Sequence, residues 1–196
     1  MTALDRVSDV FAFVAKHAEF TTGILFAEDE VPEIRPEERE AIRAVMDHVR
    51  ASYVGLLQRC RDDMVARAKG DDAFVATMER NWNRDDSIWE HGRVDVPLLI
   101  GASYVEVAYF WIDRESHRPG VLNLVGEIWT QTRKRDALRR VASKCKEPLF
   151  VSSSGNLRVL APELKEDTLF ADLSRALVDT LWGPVVDIRA DLMKKD

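Results

Sequence analysis

Apolar residues recur along this chain with two different periods, and the change from one to the other divides it. Leu4, Val7, Val10, Phe11, Val14 and Ala18 fall at helical spacing and predict a helix over 4–18. A loop follows through Glu28, Asp29, Glu30 and Pro32. Pro36 then opens a second helix, with Glu37, Glu38 and Glu40 suited to its electropositive start. The stripe Ile42, Met46, Val49, Tyr53, Leu56, Cys60 and Met64 steps by fours and threes, so one helix is expected over 36–69, stopped by Gly70. At 1.5 Å per residue it spans about 50 Å. A helix of that length in a small domain packs into a bundle core or against a second copy of the chain. Residues 71–91, from Phe74, Val75 and Met78 to Trp82, Ile88 and Trp89, read as one or two shorter helices.

Beyond residue 93 the pattern turns to strand chemistry. Segments 94–100, 102–113 and 121–131 are rich in Val, Ile, Tyr, Phe and Trp. The stretch from Asp113 to Gly120 joins the last two as a hairpin. Both are apolar on both faces, which predicts central strands covered on each side. A basic helix is expected over about 132–146, then short strands Leu149–Ser153 and Asn156–Leu160 around a Ser-Gly turn. Leu169, Leu173, Leu177, Leu181, Val185, Ile188 and Leu192 mark a C-terminal amphipathic helix, which Gly183-Pro184 should kink or interrupt. The fold class is therefore α+β. A single domain over 1–196 is expected, mainly helical over 1–92, with an antiparallel sheet and covering helices over 93–196.

Composition narrows the classes. The chain has 196 residues, 46% of them hydrophobic, and a formal charge of −6. That excludes a disordered chain, a collagen and a disulfide scaffold, and disfavours nonspecific polyanion binding over the whole surface. The longest uncharged stretch, Val96 to Val105, is shorter than the roughly 20 residues that span a bilayer, so no membrane partner is expected. Cys60 and Cys145 lie far apart in helical patterns and read as reduced thiols of a cytoplasmic protein. No dinucleotide fingerprint, phosphate loop, nucleophile elbow or zinc spacing occurs, and the four histidines are scattered singly. These gaps remove most cofactor enzymes.

Two constellations remain. If the hairpin turns symmetrically about Ser116-His117, Glu106 faces Glu127 across adjacent strands. Like charges so placed are destabilising, the more so on a covered sheet, and require a cation, an arginine or a shared proton. One reading makes Glu106 and Glu127, with Asp95, ligands for Mg²⁺ or Mn²⁺ in a metal-dependent nuclease or hydrolase. The other makes the pair ordinary structure bonded to Arg93 or Arg114. The element order over 71–153, helix, three strands, helix and strand, is similar to the core of restriction-nuclease-like enzymes. That resemblance places the family's Glu-x-Lys signature on Glu127-Ile128-Trp129, where the lysine is missing.

The second constellation is the basic helix. Arg133, Lys134, Arg135, Arg139, Arg140, Lys144 and Lys146 stand against the single acid Asp136, with Leu138, Val141, Ala142 and Cys145 as an inward stripe. Such a surface suits an acidic protein partner, a nucleic-acid backbone or the chain's own acidic regions. An aromatic pocket from Trp89, Tyr109, Trp111 and Trp129 is a further option for a small-molecule sensor. The reading that accommodates the missing motifs is a noncatalytic interaction or assembly module, an adaptor without a cofactor. Its partner is a protein, or a second copy docked along the long helix. The metal-dependent hydrolase is the alternative.

Overall fold

The computed structural model describes residues 36–71, 75–76, 88, 92–100, 103–112, 123–131, 134–161 and 169–194. The helix expected over 4–18, the loop through Pro32 and the hairpin connection 113–120 lie outside these residues. The elements run α1 (Pro36–Lys69), β1 (Val75–Ala76), β2 (Arg93–Ile100), β3 (Ser103–Ile112), β4 (Asn123–Thr130), α2 (Arg135–Ala142), β5 (Leu149–Val151), β6 (Leu157–Leu160) and α3 (Phe170–Met193). All strand pairs are antiparallel, in the order β1-β2-β3-β4-β6-β5. The protein is α+β, and β3 and β4 take the central places expected of them, though one of their faces carries buried Glu106 and Glu127.

Alternation along the strands sorts the sheet into two unlike faces. Val94, Val96, Leu98, Ile100, Val105, Val107, Tyr109, Leu124, Ile128, Leu157 and Val159 point to one side and join the main core. That side carries the helices. A Cβ added to Gly126 would lie 2.5 Å from Leu181 Cδ1, so glycine is what lets α3 approach β4 so closely. Leu173, Leu177, Leu181, Val185, Ile188 and Leu192 form the buried stripe of α3. Beside it, α1 buries Val54, Leu56, Leu57, Cys60, Met64 and Ala68. The pairs Asp63–Ser174, Arg67–Asp179 and Asp71–Arg189 advance in the same sense along both elements, so α1 and α3 lie parallel.

The C-terminal half of the α1 stripe is therefore consumed by the chain's own core. A second copy cannot use Leu56, Cys60 or Met64, and the side chains of Ile42, Met46, Val49 and Tyr53 lie outside the described residues.

Three expectations are corrected. Val75 and Ala76 are not helical: they pair with Leu99 and Leu98 as a strand. A β-branched residue beside the unpaired margin of β2 gains more from ladder bonds than from an isolated turn of helix. Helix α2 is shorter than 132–146: its last helical bond runs from Ser143 N–H to Arg139 O, and tight turns follow, with Lys144 N–H donating to Val141 O and Cys145 N–H to Ala142 O. Helix α3 continues without interruption through Gly183-Pro184. An interior proline costs about 3 kcal/mol. Pro184 is itself buried, beside fully buried Leu181, Val185 and Ile188, and this packing offsets the missing N–H.

Candidate functional site

The second face of the sheet is charged and aromatic. Register places Asp95 opposite Ala108, Ala108 opposite Glu127, and Glu127 opposite Arg158, so these four form one row across β2, β3, β4 and β6. Glu106 lies on the same face in the next row, between Pro97 and Trp129. The expected Glu106–Glu127 pairing is thus wrong by two residues: Glu106 faces Trp129, and Ile112 faces Asn123 rather than Val121. A two-residue shift keeps every side chain on its face, so hydrophobic alternation cannot distinguish the two registers. Electrostatics can, because the observed one sets Glu127 against a small alanine instead of a second carboxylate.

All three acids are buried: Asp95, Glu106 and Glu127 expose 4%, 2% and 3% of their surface. Burying a carboxylate demands a compensating partner. Arg93 donates to Asp95 at 2.7 Å, and Arg158 Nε donates to Glu127 Oε2 at 2.5 Å. Glu106 is also partnered. Each guanidinium lies 5.4 Å from the centre of the Phe110 ring, where the ring face attracts a cation. Arginine, the second of the two expectations for this face, therefore compensates Asp95 and Glu127. Arg93 meets Asp95 rather than either glutamate, and Arg158, which sequence reasoning did not single out, serves Glu127. Among the described residues no three His, Cys, Asp or Glu side chains come close enough to hold a metal ion.

Of the proposed aromatic pocket, Trp89 and the side chain of Trp111 lie outside the described residues, and the other two members do not meet. Tyr109 points into the helical side and Trp129 to the opposite face, where it meets Tyr104 edge-on at 5.7 Å. Within the helical core, burial pushes the Cys60 thiol up to about 12, and burial likewise raises Tyr109. A thiol in that state is not a nucleophile.

The basic segment has a different character. Its inward side buries Ala137, Leu138 and Val141, with Ala142 and Cys145 partly covered. Arg140 pairs with Asp191 of α3, its Nε donating at 2.9 Å, and this ties α2 to the helical layer. Arg139 reaches Asp136 only at 3.4 Å, with both side chains 71% exposed. Arg135, Lys144 and Lys146 are exposed and have no ion pair among the described residues. Lys134 is partly exposed, and Arg133 lies outside the described residues.

This cationic segment runs directly into the free margin of the sheet. Lys146 O accepts from Leu149 N–H in a tight turn around the cis Glu147–Pro148 peptide, and β5 begins at once. Among the described residues β5 is the last strand of the sheet and pairs only with β6. Phe150 and Val151 are 40% and 54% exposed, among the few large apolar side chains left in water among the described residues. Sequence reasoning placed the strand correctly without seeing that it ends the sheet. The signal was present in Phe150 and Val151, apolar neighbours pointing to opposite faces directly after a run of cations.

Compared with known proteins, the chain matches no family model, no curated protein and no solved structure. Its class is defined by its own geometry: an α+β protein with α1, α2 and α3 packed on one side of an antiparallel sheet, and an ion-paired opposite face. Among the described residues no helix is long and apolar enough to cross a membrane.

Proposed function

We propose that this protein is a noncatalytic interaction module that recognises an acidic protein surface through the segment around α2. One observation supports this reading above others. In a chain of net charge −6, Arg135, Lys144 and Lys146 stand exposed without an ion pair among the described residues, and exposed Phe150 and Val151 follow Lys146 closely in the chain. Solvated cations followed in the chain by exposed apolar side chains have the composition of a recognition surface with a polar rim. A protein partner is favoured over nucleic acid. The exposed side chains that follow are one aromatic and one aliphatic, and no series of aromatic side chains alternates with the cations to stack bases.

The test is fluorescence anisotropy with a fluorescein-labelled, glutamate-rich peptide, set beside a labelled single-stranded DNA oligonucleotide. The peptide is expected to bind, more weakly as salt is raised. Joint reversal of Arg135, Lys144 and Lys146 to glutamate should abolish that binding while far-UV circular dichroism stays unchanged. Equal peptide affinity before and after the reversal sinks the reading.

A further inference from the structure

The alternation of bonds between β5 and β6 fixes which backbone groups face outward. Ser152 N–H donates to Asn156 O, so these two residues form a hydrogen-bonded pair of the antiparallel ladder. The loop 153–155 closes with Gly155 at φ +78°, as a three-residue hairpin loop requires. Pair types alternate along such a ladder. With Val151 opposite Leu157, Phe150 opposite Arg158 and Leu149 opposite Val159, the Phe150 pair is bonded and the Val151 and Leu149 pairs are not. The N–H and C=O of Val151, and the C=O of Leu149, therefore point off the sheet. Leu149 N–H points the same way and is already taken by Lys146 O, an independent sign that the assignment is right.

Among the described residues no strand pairs with this edge, and such an edge is a template for a further strand. It is short, and its apolar side chains lie on both sides: Phe150 on the ion-paired face, Val151 on the helical one. Lys144 and Lys146 stand at its entrance. Building on the reading above, we infer that the occupant of this surface is an extended, acidic segment of a partner protein, added as a seventh strand antiparallel or parallel to β5. Its backbone pairs with Val151, its alternate apolar side chains cover Phe150 and Val151, and its carboxylates meet Lys144 and Lys146. Main-chain pairing supplies the affinity in this mode of recognition, and side chains supply the choice of partner. The charge of the edge selects an acidic strand over a neutral or basic one.

The probe is a fluorescein-labelled peptide alternating glutamate with valine and isoleucine, titrated against the full chain. Two matched probes accompany it: one with prolines at alternate positions, unable to pair, and one with lysine in place of glutamate. Only the first is expected to bind. Val151→Pro removes the outward N–H while leaving the Phe150 and Ser152 bonds to β6, and should weaken the probe at least about tenfold. Val151→Ala keeps that N–H and should weaken it less than about threefold. Lys144→Glu with Lys146→Glu should also cost about tenfold or more.

If the double lysine variant loses the probe while Val151→Pro binds as wild type does, edge pairing is overturned and the basic recognition surface stands. If the proline-bearing probe binds as well as the parent, edge pairing is likewise overturned. If the parent probe does not bind, both readings fall. If a DNA oligonucleotide outcompetes the probe, or if the chain dimerises in a way that Val151→Pro dissolves, the edge has a different occupant and the inference is overturned. Circular dichroism of each variant confirms that the sheet is intact.

Discussion

Replacing Arg158 with methionine tests whether the charged face is held by its ion pairs. Methionine keeps most of the aliphatic stem that arginine lays along the sheet and removes only the guanidinium. Glu127, 3% exposed, then has no partner among the described residues. Removing one member of a buried pair costs about 3–5 kcal/mol, because the other charge stays desolvated. Arg158 is a quarter exposed, so water partly screens this pair, and the lower end of that range, about 3 kcal/mol, is appropriate. Loss of the contact with Phe110 adds about 0.5–1 kcal/mol. The sum, about 3–4 kcal/mol, is a large part of the roughly 5–15 kcal/mol that holds a domain folded. Urea denaturation followed by far-UV circular dichroism reads it as a midpoint lower by about 1–3 M at unchanged slope. Arg158→Met combined with Glu127→Leu should recover much of the loss, since replacing both charges by apolar groups leaves nothing unpaired. A cost below about 1 kcal/mol for the single variant, or strict additivity in the double, refutes this account.

Three further outcomes follow from other parts of the fold. Gly126→Ala drives a methyl group into Leu181 and should destabilise by about 1–3 kcal/mol, again measured as a urea midpoint; no change would mean that α3 is free to move off β4. Cys60 is raised in the fold to about 12 from an ordinary 9.0, chiefly by burial. Its stabilising effect is complete below pH 9 and is lost as pH rises from about 9 to 12, where the unfolded chain gives up the proton first. Stability should fall more steeply over that range in the wild type than in Cys60→Ala, and parallel curves would contradict the burial. Mg²⁺ or Mn²⁺ at millimolar concentration should leave the thermal midpoint within about 1 °C, because arginines already compensate Asp95 and Glu127. A saturable rise that Glu127→Gln removes would restore the metal reading.

The elements that sequence disclosed best are those with local punctuation. Pro36 and Gly70 bracket a single apolar stripe, and α1 runs between them as expected, from Pro36 to Lys69. Val, Ile and Tyr in quick alternation marked β2, β3 and β4 to within two residues of their ends. What sequence hid was set between segments. Strand β1 exists because β2 has a vacant side at Leu98 and Leu99, and nothing in Val75-Ala76 alone records that. The hairpin register hid for a related reason: two registers that differ by two residues bury the same side chains. Arg158 escaped notice because it arrives from β6, thirty-one residues beyond the carboxylate it serves. The cations of the basic segment were plain, but which of them is spent is decided by α3: Asp191 engages Arg140 and leaves Arg135, Lys144 and Lys146 exposed.

The row of Asp95, Ala108, Glu127 and Arg158 does something for the sheet that an apolar row in its place would not. Slide β4 by a single position against β6, and Glu127 turns inward beneath the leucines of α3 while Gly126 surrenders the hollow that Leu181 fills. Misaligned strands are thereby penalised twice, once in charge and once in volume. The ion-paired face works as a key cut to one alignment, filtering out the near-native arrangements that an all-aliphatic sheet would tolerate.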